Sequence, residues 1–237
     1  MRLKIECSLE ENIISTSYNR KILSFFKKSL ELYDREVEKE YYGEPCKKDM
    51  SFSCFFPLEK IDGDKIYLKE NTFKIFITFN SIIDGVHFYN SFVNAKNKKI
   101  QFNFYENKFT ISNIIKLNEK KINNNVAIFQ TLSPIVIKEK ITKEKEWFHI
   151  LDEKGIEILK KNLNYSLKDK FSLEILNQIE IIPVDVKKII VNFYNIKFPT
   201  TKGIFILKGN KEILNYFYKS GIGSKKSSGF GMLELIK

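Results

Sequence analysis

The sequence predicts an α+β chain built from two consecutive ferredoxin-like (RRM-like) βαββαβ units, residues 1–122 and 123–237. Three observations carry this. The side-chain period switches between 2 and 3.6 residues in the same order twice along the chain. The most polar stretch, 118-NEKKINNN-125, falls between the two runs. With 237 residues, 43% of them hydrophobic, the chain has material for one large core or two small ones.

The elements follow in order. Residues 2–10 set Leu3, Ile5, Cys7 and Leu9 on one side at the period of a strand. From Tyr18 the spacing becomes helical, with Ile22, Leu23, Phe26, Leu30 and Tyr33 recurring along 18–42 and Ser17 placed as the N-cap. Runs at 51–56, 65–69 and 72–79 predict strands. A helix over 81–95 carries Ile82, Val86, Tyr89 and Val93 on one face, and strands near 100–105 and 108–117 complete the unit. The second unit starts with a strand-rich run, 126–140, and a helix over 152–171 with Ile156, Leu159, Leu163 and Leu167 on one face. Strands at 186–196 and 204–207, a helix at 211–220 and a strand at 230–236 close it. The repeat is one of element order, without sequence identity between halves.

Forty basic against twenty-nine acidic residues give a net charge of +11, which favours a polyanionic partner such as nucleic acid or an anionic membrane surface. Lysine supplies nearly all of it; Arg2, Arg20 and Arg35 alone offer forked donors. Binding should therefore be phosphate-dominated and salt-dependent. No apolar run approaches the length of a membrane span and the N-terminus lacks a signal-peptide pattern, so a cytoplasmic chain is expected. Cys7, Cys46 and Cys54 show no CxxC spacing and read as reduced thiols; neither a metal site nor a cofactor is indicated.

Four of the ten glycines crowd into 221-GIGSKKSSGFG-231. A nucleotide-cofactor loop needs its glycines after a strand and before a helix. Here the order is helix, glycines, strand, and the Walker spacing fails. Two readings stay open. Gly221 ends the helix and the other glycines shape a turn, or Gly221, Gly223 and Gly229, with Ser224, Lys225, Lys226, Ser227 and Ser228, form a backbone cradle for a phosphodiester chain.

A GxGxxxxxGFG between the last helix and last strand of such a chain resembles the signature of the CRISPR-associated Cas six endoribonucleases of the RAMP superfamily. The segments 18-YNR-20 and 131-TLSPIVI-137 match as well, and the resemblance spans essentially the whole chain. It implies cleavage of precursor RNA within CRISPR repeats without a metal. A ribose 2′-hydroxyl attacks the adjacent phosphate and leaves a 2′,3′-cyclic phosphate and a 5′-hydroxyl. Implied partners are CRISPR repeat RNA and other CRISPR effector-complex proteins, with the chain a monomer or homodimer.

The usual catalytic group of that family is a histidine. Aligned on 51-SFS-53, its position reads Tyr42, the accompanying lysine reads Lys48, and Lys27 falls where the tyrosine stands. His87 and His149 lie elsewhere and read as structural or exposed. The loop 44–50 would project Lys47 and Lys48 beside the first helix, where Arg20 and Lys28 also stand. Tyrosine and lysine ordinarily titrate near pH 10, so neither is a good base at neutral pH. The chain is then a nuclease with rerouted acid/base groups, slow or inactive, or a repeat-RNA binding subunit without activity. A third reading is an unrelated ferredoxin-like module for which GFG is only a turn.

Overall fold

The computed structural model describes residues 1–44, 48–142, 145–194 and 196–237; Cys46 and Lys47 fall outside them. The first sheet is formed by β1 (Arg2–Leu9), β3 (Met50–Phe55), β6 (Thr72–Phe79), β7 (Phe102–Phe104) and β8 (Asn107–Leu117), in the order β3-β6-β1-β8-β7 and antiparallel throughout. The helices α1 (Asn19–Tyr33), α2 (Arg35–Tyr42) and α3 (Ile82–Asn97) belong to the same half. A small sheet of β2 (Ile13–Ser15), β5 (Lys65–Leu68) and β4 (Leu58–Asp62) is added to it.

The second sheet runs β12 (Glu180–Phe193), β13 (Ile196–Lys208), β9 (Val126–Thr131), β14 (Leu233–Leu235), again antiparallel. Its helices are α4 (Glu153–Leu167), α5 (Leu173–Asn177) and α6 (Lys211–Ser220), and the hairpin of β10 (Ile137–Lys140) and β11 (Glu146–His149) is inserted after β9. Both sheets have the spatial order of a ferredoxin-like unit, so the predicted fold class stands. Each half has its own apolar core, the first dominated by phenylalanine rings, among them Phe25, Phe26, Phe52, Phe73, Phe88 and Phe92.

Three local expectations are corrected. The helix predicted over 18–42 is two helices, because Asp34 adopts φ −158° and its carboxylate accepts from the N–H groups of Glu36 and Val37, ending α1 and capping α2. Tyr18, not Ser17, stands at the start of α1, without a side-chain cap. Helix α3 buries Gly85, Phe88, Ser91, Phe92 and Ala95 rather than the face of Ile82 and Val86; Ile82 is 72% exposed. Rings bury more area than aliphatic side chains, and Gly85 lets Met1 approach to where a Cβ would lie 2.8 Å away.

The halves are joined through polar groups at their centre. Arg2, 2% exposed, donates to the carbonyl of Leu233 at 3.0 Å and to Glu234 at 2.8 Å, with its guanidinium 4.4 Å from the Tyr218 ring centroid. It is therefore unavailable to a ligand. Ser53 of β3 donates to the Leu132 carbonyl at 2.7 Å.

Candidate functional site

The three motifs singled out in the sequence meet at this junction. In the glycine segment, Ile222 N–H donates to the Gly231 carbonyl, Ser224 N–H to Val136 and Gly231 N–H to Pro134, while Met232 N–H donates to the Ser133 hydroxyl. The TLSPIVI run is thus the hydrogen-bonded floor of the glycine loop. From the other half, Asn19 of the YNR run donates to the Ser228 carbonyl at 3.0 Å, Tyr18 packs edge-on against Phe56, and the Arg20 guanidinium lies 4.7 Å from the Tyr194 ring centroid.

The glycines serve close approach within the protein. A Cβ on Gly229, at φ +91°, would lie 2.8 Å from the Phe52 ring and 2.9 Å from Asn19; one on Gly221, at φ +77°, would lie 2.7 Å from the Ser51 hydroxyl. Gly221 and Gly229 are buried, which corrects the idea that they offer open backbone to RNA. The N–H groups of Ile222, Ser224, Ser228, Gly229 and Gly231 already donate to carbonyls of the protein, and that of Met232 to the Ser133 hydroxyl. Between the buried glycines, Gly223 to Ser228 are half-buried and form the part of the segment that reaches the surface.

A cleft of about 340 Å³ opens beside it, lined by Gly223, Ser224, Lys225 and Ser227, by Lys48 from the first half, and by α4 and α6. Lys48 and Tyr42 come together, with the ammonium 4.6 Å from the ring centroid. Lys27 does not join them; it reaches Glu38 of α2 at 3.5 Å, and Lys28 pairs with Glu31 at 3.1 Å on the exposed face of α1. Neither histidine lines the cleft: His149 pairs with Glu139 at 2.7 Å, and His87 sits on α3 with its ring 6.5 Å from that of Tyr41. Arg20 borders a second concavity of about 630 Å³ with Ser15, Lys65 and Tyr105.

The two loop lysines have different surroundings. Lys225 sits over the Phe193 ring at 5.4 Å, and burial, followed by the charge of Lys138, holds its ammonium below the ordinary lysine value. A cation in that condition gains from an incoming anion. Lys226 also lines the cleft, with its side chain 14% exposed, donating to the Ser220 hydroxyl at 3.3 Å and lying 4.0 Å from Asp49.

Asp49, the residue after Lys48, was missed in the sequence. Only 12% of its side chain is exposed; it accepts from the Tyr216 hydroxyl at 2.7 Å and pairs with Lys170. Burial pushes its carboxyl up, but hydrogen bonds from Lys170 and Tyr216 and the charge of Lys226 outweigh this and hold it below the ordinary carboxylate value. The segment carrying Lys48 is thereby tied to α6 and the glycine loop.

Two ferredoxin-like units in tandem, with a glycine loop seated on the first unit beside a lysine-lined cleft, define a RAMP-type protein. Residues 117–235 match the family model described as CRISPR associated protein Cas6, C-terminal, which covers half of the chain. The chain belongs to the Cas6 family, whose members process CRISPR repeat RNA. It is 29% identical over 182 residues, 74% of this chain and 72% of the relative, to a Pyrococcus furiosus protein called putative CRISPR-associated endoribonuclease-like protein Cas6. The solved structure of a Cas6-related gene product from Pyrococcus furiosus superposes with a TM-score of 0.84 at 23% identity, covering 100% of this chain and 98% of that one. A RAMP protein described as binding different RNA substrates superposes with a TM-score of 0.79 at 20% identity over the full length of both chains. Among the described residues no helix is long and apolar enough to cross a membrane.

Proposed function

We propose that this protein cuts CRISPR precursor RNA within its repeats by metal-independent attack of a ribose 2′-hydroxyl. The observation that carries the reading is the meeting of Lys48, packed on Tyr42, with the glycine loop in one cleft between the halves. In the reaction the 2′-oxygen bonds to the adjacent phosphorus and gives up its proton. The bond from phosphorus to the 5′-oxygen breaks, and that oxygen takes a proton. Lys225 and the Ser224 to Ser227 turn hold the backbone, Lys48 meets the charge that builds on the phosphorane, and the Tyr42 ring restrains the Lys48 ammonium. With no histidine lining the cleft, the missing acid/base group costs roughly 10²- to 10⁴-fold in rate, and a lysine or tyrosine base makes the rate climb toward alkaline pH.

The test is incubation of the protein with its repeat RNA in EDTA, using a series of substrates that each carry one 2′-deoxy substitution. Cleavage at one phosphate, abolished by the deoxy sugar immediately upstream and faster at pH 9 than at pH 7, is expected. Dependence on added metal, or a bell-shaped profile centred near neutrality, refutes the mechanism. Tight binding without cleavage establishes the second reading, a repeat-RNA binding subunit, which the placement of both histidines away from the cleft favours.

A further inference from the structure

We infer that the cleft receives one unpaired nucleotide, its base stacked on Tyr165 of α4 while its phosphate lies against the glycine loop; this rests on the RNA reading above and specifies the form of RNA that the site takes.

Tyr165 is 79% exposed, the most exposed large apolar side chain among the described residues, and lines the same cleft as Ser224, Lys225 and Lys48. Packing does not put it there. Helix α4 buries Ile158, Leu159, Leu163 and Leu167, and Tyr165 is two residues from either of the last two, on the far side of that stripe. The Lys168 ammonium lies 5.5 Å from its ring centroid, so the aromatic face has a cation at its side, the combination that single-stranded nucleic acid sites use.

The two walls are held at a fixed separation. Asn162 of α4 donates to the Lys138 carbonyl of β10 at 2.8 Å, and the residue before β10, Val136, accepts from Ser224 of the glycine loop. The α4 wall and the loop wall are therefore braced through the same strand. A volume of about 340 Å³ lies at the small end of ligand sites, which fits a single nucleotide. A base within a stem is covered by its neighbours on both faces. A base on Tyr165 is therefore not one from the interior of a stem, which accords with an unpaired nucleotide.

The experiment measures affinity for repeat RNA made uncleavable by a 2′-deoxy sugar at the cut site, across a salt series, with Y165A, Y165F and K225A. We expect Y165A to weaken binding roughly 5- to 150-fold, the range of one lost base stack, with an unchanged salt slope and melting temperature, and Y165F to stay within about twofold of the parent. Substituting 2-aminopurine along the repeat should give one position whose fluorescence is quenched on binding by the parent and not by Y165A. Parental affinity in Y165A, or equal loss in Y165F, overturns the stacking site. If K225A weakens binding and Y165A does not, only the stacking inference falls; if neither changes binding, the RNA reading of the cleft falls with it.

Discussion

Replacing Asp49 by asparagine tests whether the two halves are locked through one carboxylate. The side chain keeps its size and can still accept from Tyr216, but its amide then faces the Lys170 ammonium, and Lys226, 14% exposed, loses its counter-charge. A hydrogen bond to a charged group contributes about 1.5–3 kcal/mol against about 0.5–1.5 for a neutral one, so that exchange costs about 1 kcal/mol. Removing one partner of a fully buried pair costs about 3–5 kcal/mol, which is scaled down here because Lys170 is 43% exposed and screened. The sum is about 2–4 kcal/mol, read from urea denaturation at pH 7. The sign with pH follows from the direction of the shift. The folded carboxyl lies below its unfolded value, so its stabilisation is fully present above about pH 4 and lost as pH falls through the folded pKa. The gap between parent and D49N should therefore close in acid. A difference below about 0.5 kcal/mol at pH 7, or one that persists unchanged at pH 2, refutes the lock.

Two further outcomes follow from the same junction. G229A forces a Cβ to within 2.8 Å of the Phe52 ring at φ +91°, and left-handed strain of about 1–2 kcal/mol plus overpacking of about 1–3 gives a loss of about 2–5 kcal/mol in urea denaturation; stability within 0.5 kcal/mol of the parent contradicts the geometry. K225A should lower the slope of log affinity against log salt by about 0.7, one phosphate contact on a single strand, whereas K226A should leave that slope nearly unchanged and lower stability instead. Equal slopes for the two variants overturn this difference between the two lysines.

The element order was legible because strands and helices announce themselves by different periods, and α6 forms over the residues predicted for it. What was not legible depends on residues far apart in sequence. Asp34 lies inside an unbroken helical pattern, and its role as a cap shows only in its extended backbone. On α3 two apolar stripes were both compatible with a helix, and the ring-rich one won the core. The glycine loop advertised an unusual backbone, but the atoms that demand it, on Ser51, Phe52 and Asn19, come from the other half of the chain. Lys226 could not be told from Lys225 without Asp49, which sequence reading passed over beside the more conspicuous lysines. Tyr165 did leave a signal, an aromatic off the apolar stripe of α4.

The scaffold and the chemistry are carried by different segments. The YNR, TLSPIVI and glycine runs are bonded to one another, so together they build the cleft independently of Tyr42 and Lys48. The catalytic candidates Tyr42 and Lys48 stand instead at the end of α2 and in the connection to β3, with Tyr42 packed against the first core and Lys48 beside the anchored Asp49. Substitution of Tyr42 should therefore leave the cradle standing. On the proposed function, binding and cleavage should therefore be separable: substitutions at Lys225 or Tyr165 are expected to change affinity, and those at Tyr42 or Lys48 the rate at which bound RNA is cut.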